Sequence, residues 1–209
     1  MDKIKILSRI YIAVSVLFVF LLFFHPYPGS WLIKAVPCTI MAYLSFSYLK
    51  SSMRILMILG FLFSGLGDIF LDLSRENFFI QGLASFALAQ LLFAIAFTRD
   101  LNTDKKRLLF AGIILLFTAT MVVFLIPSLG KHLVPVIVYI VLISAMGVSA
   151  AFLNRPLSTV YAGAFFFIIS DSMIAINKFL SPFPYSTFFI ISFYFLAQYK
   201  IGTGIIKSE

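Results

Sequence analysis

Leu108–Ile126 reads LLFAGIILLFTATMVVFLI, a run with no charge, no proline and only two threonines among its apolar side chains. As an α-helix it reaches about 28 Å, close to the thickness of a bilayer's hydrocarbon core. A membrane β-strand would alternate apolar and polar residues over about 10 positions, and this run does not alternate. Ile10–Phe24 reads the same way. Working outward, the 209-residue chain is 62% hydrophobic and 11% charged, with a mean hydropathy of +1.07. Soluble domains carry about 25% charge, so a water-soluble fold is excluded. The 26 Phe and 9 Tyr likewise exclude a disordered chain.

Breaks at charges, Pro and Gly predict eight spans, at 7–24, 32–49, 54–73, 78–98, 107–126, 133–153, 157–178 and 185–205. Eight spans use about 160 residues, so residues 1–209 are expected to form a single all-α membrane domain. Lys3, Lys5 and Arg9 ahead of an apolar run imitate a signal peptide. No small-x-small cleavage site follows, and a retained first helix is expected.

Net charge is +8, but the basic residues sit at span ends rather than in a stripe, which argues against a nucleic-acid partner. Their placement gives the orientation. Twelve of the 16 Lys and Arg fall on the side of the N-terminus; only Lys34, Arg75, Lys131 and Lys178 fall on the other. The positive-inside rule then predicts a multi-pass protein with both termini in the cytoplasm.

The third span carries Gly67-Asp68 and the fourth Leu88-Ala89-Gln90; the seventh carries Ser170-Asp171 and the eighth Leu196-Ala197-Gln198. Offsets near half the chain suggest a parallel 4+4 repeat, with halves 1–104 and 105–209. Three residues are also what coincidence supplies in so narrow an alphabet.

Of eight carboxylates, Asp2, Asp100, Asp104 and Glu209 belong to tails or a loop, and Glu76 to the loop after the third span. Asp68, Asp72 and Asp171 lie within predicted helices. A charge at the bilayer centre costs at least about 2.5–3.5 kcal/mol, so each demands a purpose. Asp68 follows Arg54, and Asp171 follows Arg155, by similar intervals on helices running the same way. The two acids are therefore expected at one depth, able to face one cavity. A protonated carboxyl bonded to a neighbouring helix is the structural alternative. Asp72 shares a helical stripe with Ser64, Asp68 and Arg75, and pairing with Arg75 is expected to satisfy it. Lys34 and Lys178 enter from one side and could hold an anionic head group, or simply snorkel to the interface. Gln90, Tyr194 and Gln198 are polar points on apolar helices, as suited to helix contacts as to a ligand. Gly65-x-Gly67 inside an apolar span reads as close helix packing.

With only His25 and His132, no three-ligand catalytic zinc site can be assembled. No Gly-x-Ser-x-Gly elbow occurs, and no cofactor is indicated. The single Cys38 excludes an internal disulfide.

Lys34-x-x-Pro37, Phe63-Ser64-x-x-Gly67-Asp68, the Gly82-to-Phe97 helix, Ser170-Asp171-Ser172 with Asn177-Lys178-Phe179, and Tyr194-x-x-Ala197-Gln198 together resemble the YhhN family of eight-span membrane proteins. The family often carries His where this chain has Gln90. The resemblance implies a lysoplasmalogenase, an ether hydrolase that cleaves the vinyl ether of a lysophospholipid to a fatty aldehyde and a glycerophospho head group. It places catalysis on Asp68 and Asp171. Lys34, Asp72, Gln90, Asn177, Lys178, Tyr194 and Gln198 become candidates for substrate binding, with membrane lipid as the surroundings. A carboxyl in an apolar pocket can keep a proton to deliver near neutral pH, and a second can activate water, as paired acids do in glycosidases. A proton-coupled transporter uses intramembrane acids and parallel repeats equally well. A non-catalytic lipid-binding protein is the third reading.

Overall fold

The computed structural model describes residues 2–207; Glu209, read above as part of a tail, lies outside them. Among the described residues there are eight long helices: α1 (Asp2–Leu21), α2 (Ser30–Tyr48), α3 (Arg54–Leu73), α4 (Phe79–Phe97), α5 (Lys106–Leu125), α6 (Leu133–Phe152), α7 (Val160–Ala175) and α8 (Ser186–Ile206). Most predicted boundaries agree within two or three residues. Two differ for a readable reason. α1 starts at Asp2, because Lys3, Lys5 and Arg9 mark a membrane interface and not a helix end. α7 passes at Ile176 into a π-helical turn that runs to Leu180.

Seven helices, all but α2, are long and apolar enough to cross a membrane. α2 has 19 residues like α4, and differs by carrying Ser30, Lys34, Cys38 and Ser45, all of them buried. It packs on α1, α3 and α8. Its polar side chains turn into the bundle, so the low apolar content records what it lines rather than where it lies.

The helices α2, α3, α4, α6, α7 and α8 contact one another in that order and close back on α2. α1 packs outside against α2 and α8, and α5 outside against α6 and α7. Leu116 and Val123 of α5 and Val134 and Val141 of α6 stand exposed, an apolar belt of the kind that meets lipid. Gly65 and Gly67 bring α3 close to both neighbours. A Cβ added at Gly65 would lie 3.3 Å from the Cys38 Cβ of α2, and one at Gly67 would lie 2.7 Å from the Phe86 ring of α4. At the end of the bundle where α1 begins and α8 ends, two connections are tied together. Asp100 pairs with Arg155, and the Arg107 guanidinium donates to the carbonyls of Ala151, Leu153 and Arg155.

Candidate functional site

α3 presents Ser64, Asp68 and Asp72 one turn apart on its inner face. Asp68 is 2% exposed. Its Oδ2 accepts from the Tyr194 hydroxyl of α8 at 2.6 Å and from the Cys38 thiol at 3.7 Å. Its Oδ1 lies 3.5 Å from the Lys34 ammonium. Tyr194 is fixed in turn. Gln198 Nε2, one turn along α8, donates to its hydroxyl at 3.1 Å. Phe86 and Phe167 stand edge-on to its ring, with centroids 5.8 and 5.4 Å away. Among buried ions a carboxylate with a cation and two further donors is a satisfied group.

Asp171 has a different environment. It accepts a hydrogen bond from Tyr139 of α6 and makes no ion pair among the described residues. Both acids nevertheless line one cavity, together with Lys34, Arg75, Ser170 and Tyr194. Two neighbouring spaces share its walls and form its arms. On one side Asp171, Leu71, Phe86 and Ile174 also border an apolar space walled by Phe79, Leu83, Met121, Leu125, Val136 and Ile143. On the other, Lys34, Leu71, Arg75 and Ile191 border a polar space that includes His25, Asp72 and Thr187. Leu71 stands at all three.

Asp72 lies in the polar arm, and there the structure corrects the sequence. Its partners are Ser30, which donates to Oδ2, the imidazole of His25 at 3.5 Å and the Lys34 ammonium at 3.9 Å. Arg75, the expected partner, forms no ion pair among the described residues. Three donors from the α1–α2 connection and α2 reach the carboxylate first, leaving the guanidinium to the cavity wall. Burial, and then the Asp72 carboxylate, raise the Tyr27 phenol above its ordinary pKa.

Of the other candidates, Gln90 is fully buried on α4, near the Tyr139 hydroxyl but outside hydrogen-bonding geometry. Lys178 does not join Lys34. Its ammonium stands 4.3 Å from the centroid of the Phe79 ring, a cation–π contact beside the apolar arm. Asn177 Oδ1 accepts from the Phe183 amide at 3.3 Å and so fastens the α7–α8 turn. Tyr139, Cys38, His25 and Arg75 were missed as site residues. Tyr and Cys are ordinary in apolar helices, and His25 and Arg75 lie just outside the predicted spans 7–24 and 54–73. Among the described residues no group of three His, Cys, Asp or Glu is placed to hold a metal.

Fold and site together define a polytopic helical membrane protein whose bundle encloses a two-carboxylate chamber, with one polar and one apolar arm. The YhhN family model matches residues 29–205, and the chain belongs to that family. The human lysoplasmalogenase TMEM86A is 35% identical over 159 residues, covering 72% of this chain and 65% of that protein. The Bos taurus protein of the same name is 33% identical over 163 residues, with the same coverage. A lysoplasmalogenase of Mycobacterium tuberculosis is 35% identical over 107 residues, 49% of this chain and 41% of its own length. The chain thus spans about two thirds of the mammalian relatives. No solved structure matches it.

Proposed function

We propose that the protein is a lysoplasmalogenase, hydrolysing the vinyl ether of a lysophospholipid to a fatty aldehyde and a glycerophospho head group. The observation that carries this reading is the chamber: two acids in unlike settings, placed between an apolar arm and a cationic one. The names of the relatives supply the substrate class. A one-chain amphiphile fits the plan, with its alkenyl chain among Phe79, Leu83 and Met121 and its phosphate toward Arg75, Lys34 and His25. Of the substrate-binding candidates, Lys34 keeps the head-group role and Arg75 takes the place given to Lys178.

The two unlike settings support a division of labour between the acids. Asp171 faces the apolar arm with a phenol and no cation, so it carries the proton and delivers it to the outer carbon of the vinyl ether. The resulting oxocarbenium ion is stabilised by Asp68, which Lys34 and Tyr194 hold as a carboxylate. Asp68 then takes a proton from the water that adds to the cation. The hemiacetal so formed collapses to aldehyde and alcohol, its hydroxyl proton passing to Asp171 while Asp68 protonates the leaving oxygen, which restores both acids. This division follows the paired acids of glycoside hydrolysis.

The test is to incubate the purified protein with lysoplasmalogen and measure released aldehyde. Aldehyde in proportion to head-group product supports hydrolysis. Proton-dependent flux of the intact lipid, with no aldehyde, would identify a carrier instead.

A further inference from the structure

Three buried polar side chains beneath the acid pair are left over by this scheme. Ser64, Gln90 and Gln198 are each 0% exposed. Ser64 Oγ, both polar atoms of Gln90, and Gln198 Oε1 find no hydrogen-bond partner among the described residues. An orphaned buried amide or hydroxyl costs about 1–3 kcal/mol, so four such atoms in one region require an occupant.

Helix register places them together. Across the antiparallel α3–α4 pair, Gly60 abuts Phe93 and Gly67 abuts Phe86, which sets Ser64 opposite Ala89 and nearly level with its neighbour Gln90. Across α3 and α8, Phe61 abuts Gly202 and Asp68 bonds to Tyr194, which sets Ser64 opposite Gln198. The three residues therefore form one layer, a turn below Asp68, Phe86 and Tyr194. The floor beneath is apolar. Phe61 and Phe93 pack at 5.2 Å, and Met41, Phe61, Phe93 and Ile201 are all fully buried. None of the three lines the chamber or either arm.

We propose that Ser64, Gln90 and Gln198 hold the hydrolytic water, on the side of the acid pair away from the lipid arms. A buried water wants two to four polar partners, and this layer offers four atoms. Lipid filling the chamber from above cannot displace water kept below it. Once Asp171 has protonated the vinyl carbon, this water gives its oxygen to the cation and a proton to Asp68. The assignment rests on the proposed hydrolysis, but the site itself does not.

Two measurements separate the two claims. In radiolytic hydroxyl footprinting, an ordered internal water marks its neighbours. The wild-type protein should label Tyr194 and Tyr139 rapidly despite exposures of 3% and 6%. Gln90→Leu and Gln198→Leu should remove that labelling. Unlabelled Tyr194 and Tyr139 in the wild type would overturn the proposal whatever the enzyme assay shows, and however the variants fold. In turnover, Gln90→Leu should lower kcat by about 10- to 100-fold with KM changed less than about twofold, and Gln90→Asn should recover part of the loss. An unchanged kcat, or a loss confined to KM, would also overturn it. Absence of aldehyde from the wild type would refute the hydrolase reading and leave the footprint to decide the water site.

Discussion

At the scale of single residues, the two acids are predicted to be indispensable for different reasons. Asp171→Asn keeps the Tyr139 contact but has no proton to give, and Asp68→Asn keeps shape but accepts none. Each should cut aldehyde release by about 10²-fold or more, with the double variant little worse than either, because groups acting as a unit are non-additive. Near-normal release from either single variant would defeat the mechanism. Lys34 is 4% exposed between two carboxylates, so Lys34→Met strands buried charge. A loss of about 3–5 kcal/mol is expected, read as a fall in thermal midpoint in detergent. Arg75→Ala removes a cation that forms no ion pair among the described residues. Stability should hold while KM for the phospholipid rises, measured as aldehyde release against substrate concentration. The acids and Lys34 were legible in the sequence because charge is so rare in it. Tyr139 was not, since nothing in its own helix distinguishes a phenol that bonds to Asp171 from one that snorkels. The mistaken Asp72–Arg75 pairing came from reading a stripe along one helix, when the nearer donors arrive from another.

At the scale of elements, breaks at charges, Pro and Gly located all eight helices, α2 among them, although α2 is less apolar than the seven that are long and apolar enough to cross a membrane. Its buried polar face is what the chamber uses. Close approach of α7 and α8 depends on Gly163, where an added Cβ would lie 3.0 Å from the Ala197 carbonyl oxygen and the Ile201 amide nitrogen of α8. Backbone cannot step aside as a side-chain tip can. Gly163→Val should therefore destabilise by about 1–3 kcal/mol or more. Gly112→Ala, with nothing within 4 Å of the added Cβ, should leave stability unchanged. Paired melting curves of the two variants check this.

For the molecule as a whole, we propose the orientation that the basic residues suggest, with both termini in the cytoplasm. Cys38 is buried at 1% exposure, so single cysteines can be introduced over a quiet background. Cys at 104 should resist an impermeant thiol reagent from outside, and Cys at 131 should react; the reverse result inverts the protein. The parallel repeat stands as a proposal too. Its support is that the second helix of each half supplies the partner of the acid on the third, Lys34 for Asp68 and Tyr139 for Asp171. Sequence offsets alone could not separate that symmetry from coincidence, because the matching partners are different residue types.

The two arms of the chamber also bear on how a reaction there would end. Cutting an amphiphile at its head–tail junction yields one fragment that prefers oil and one that prefers water. In the proposed reaction each fragment would form already facing the surroundings it prefers, the tail among Phe79 and Leu83 and the head among Lys34, Arg75 and His25. Departure in opposite directions would separate the products before they could recombine, and the fatty product of the proposed reaction would pass to membrane rather than to solution.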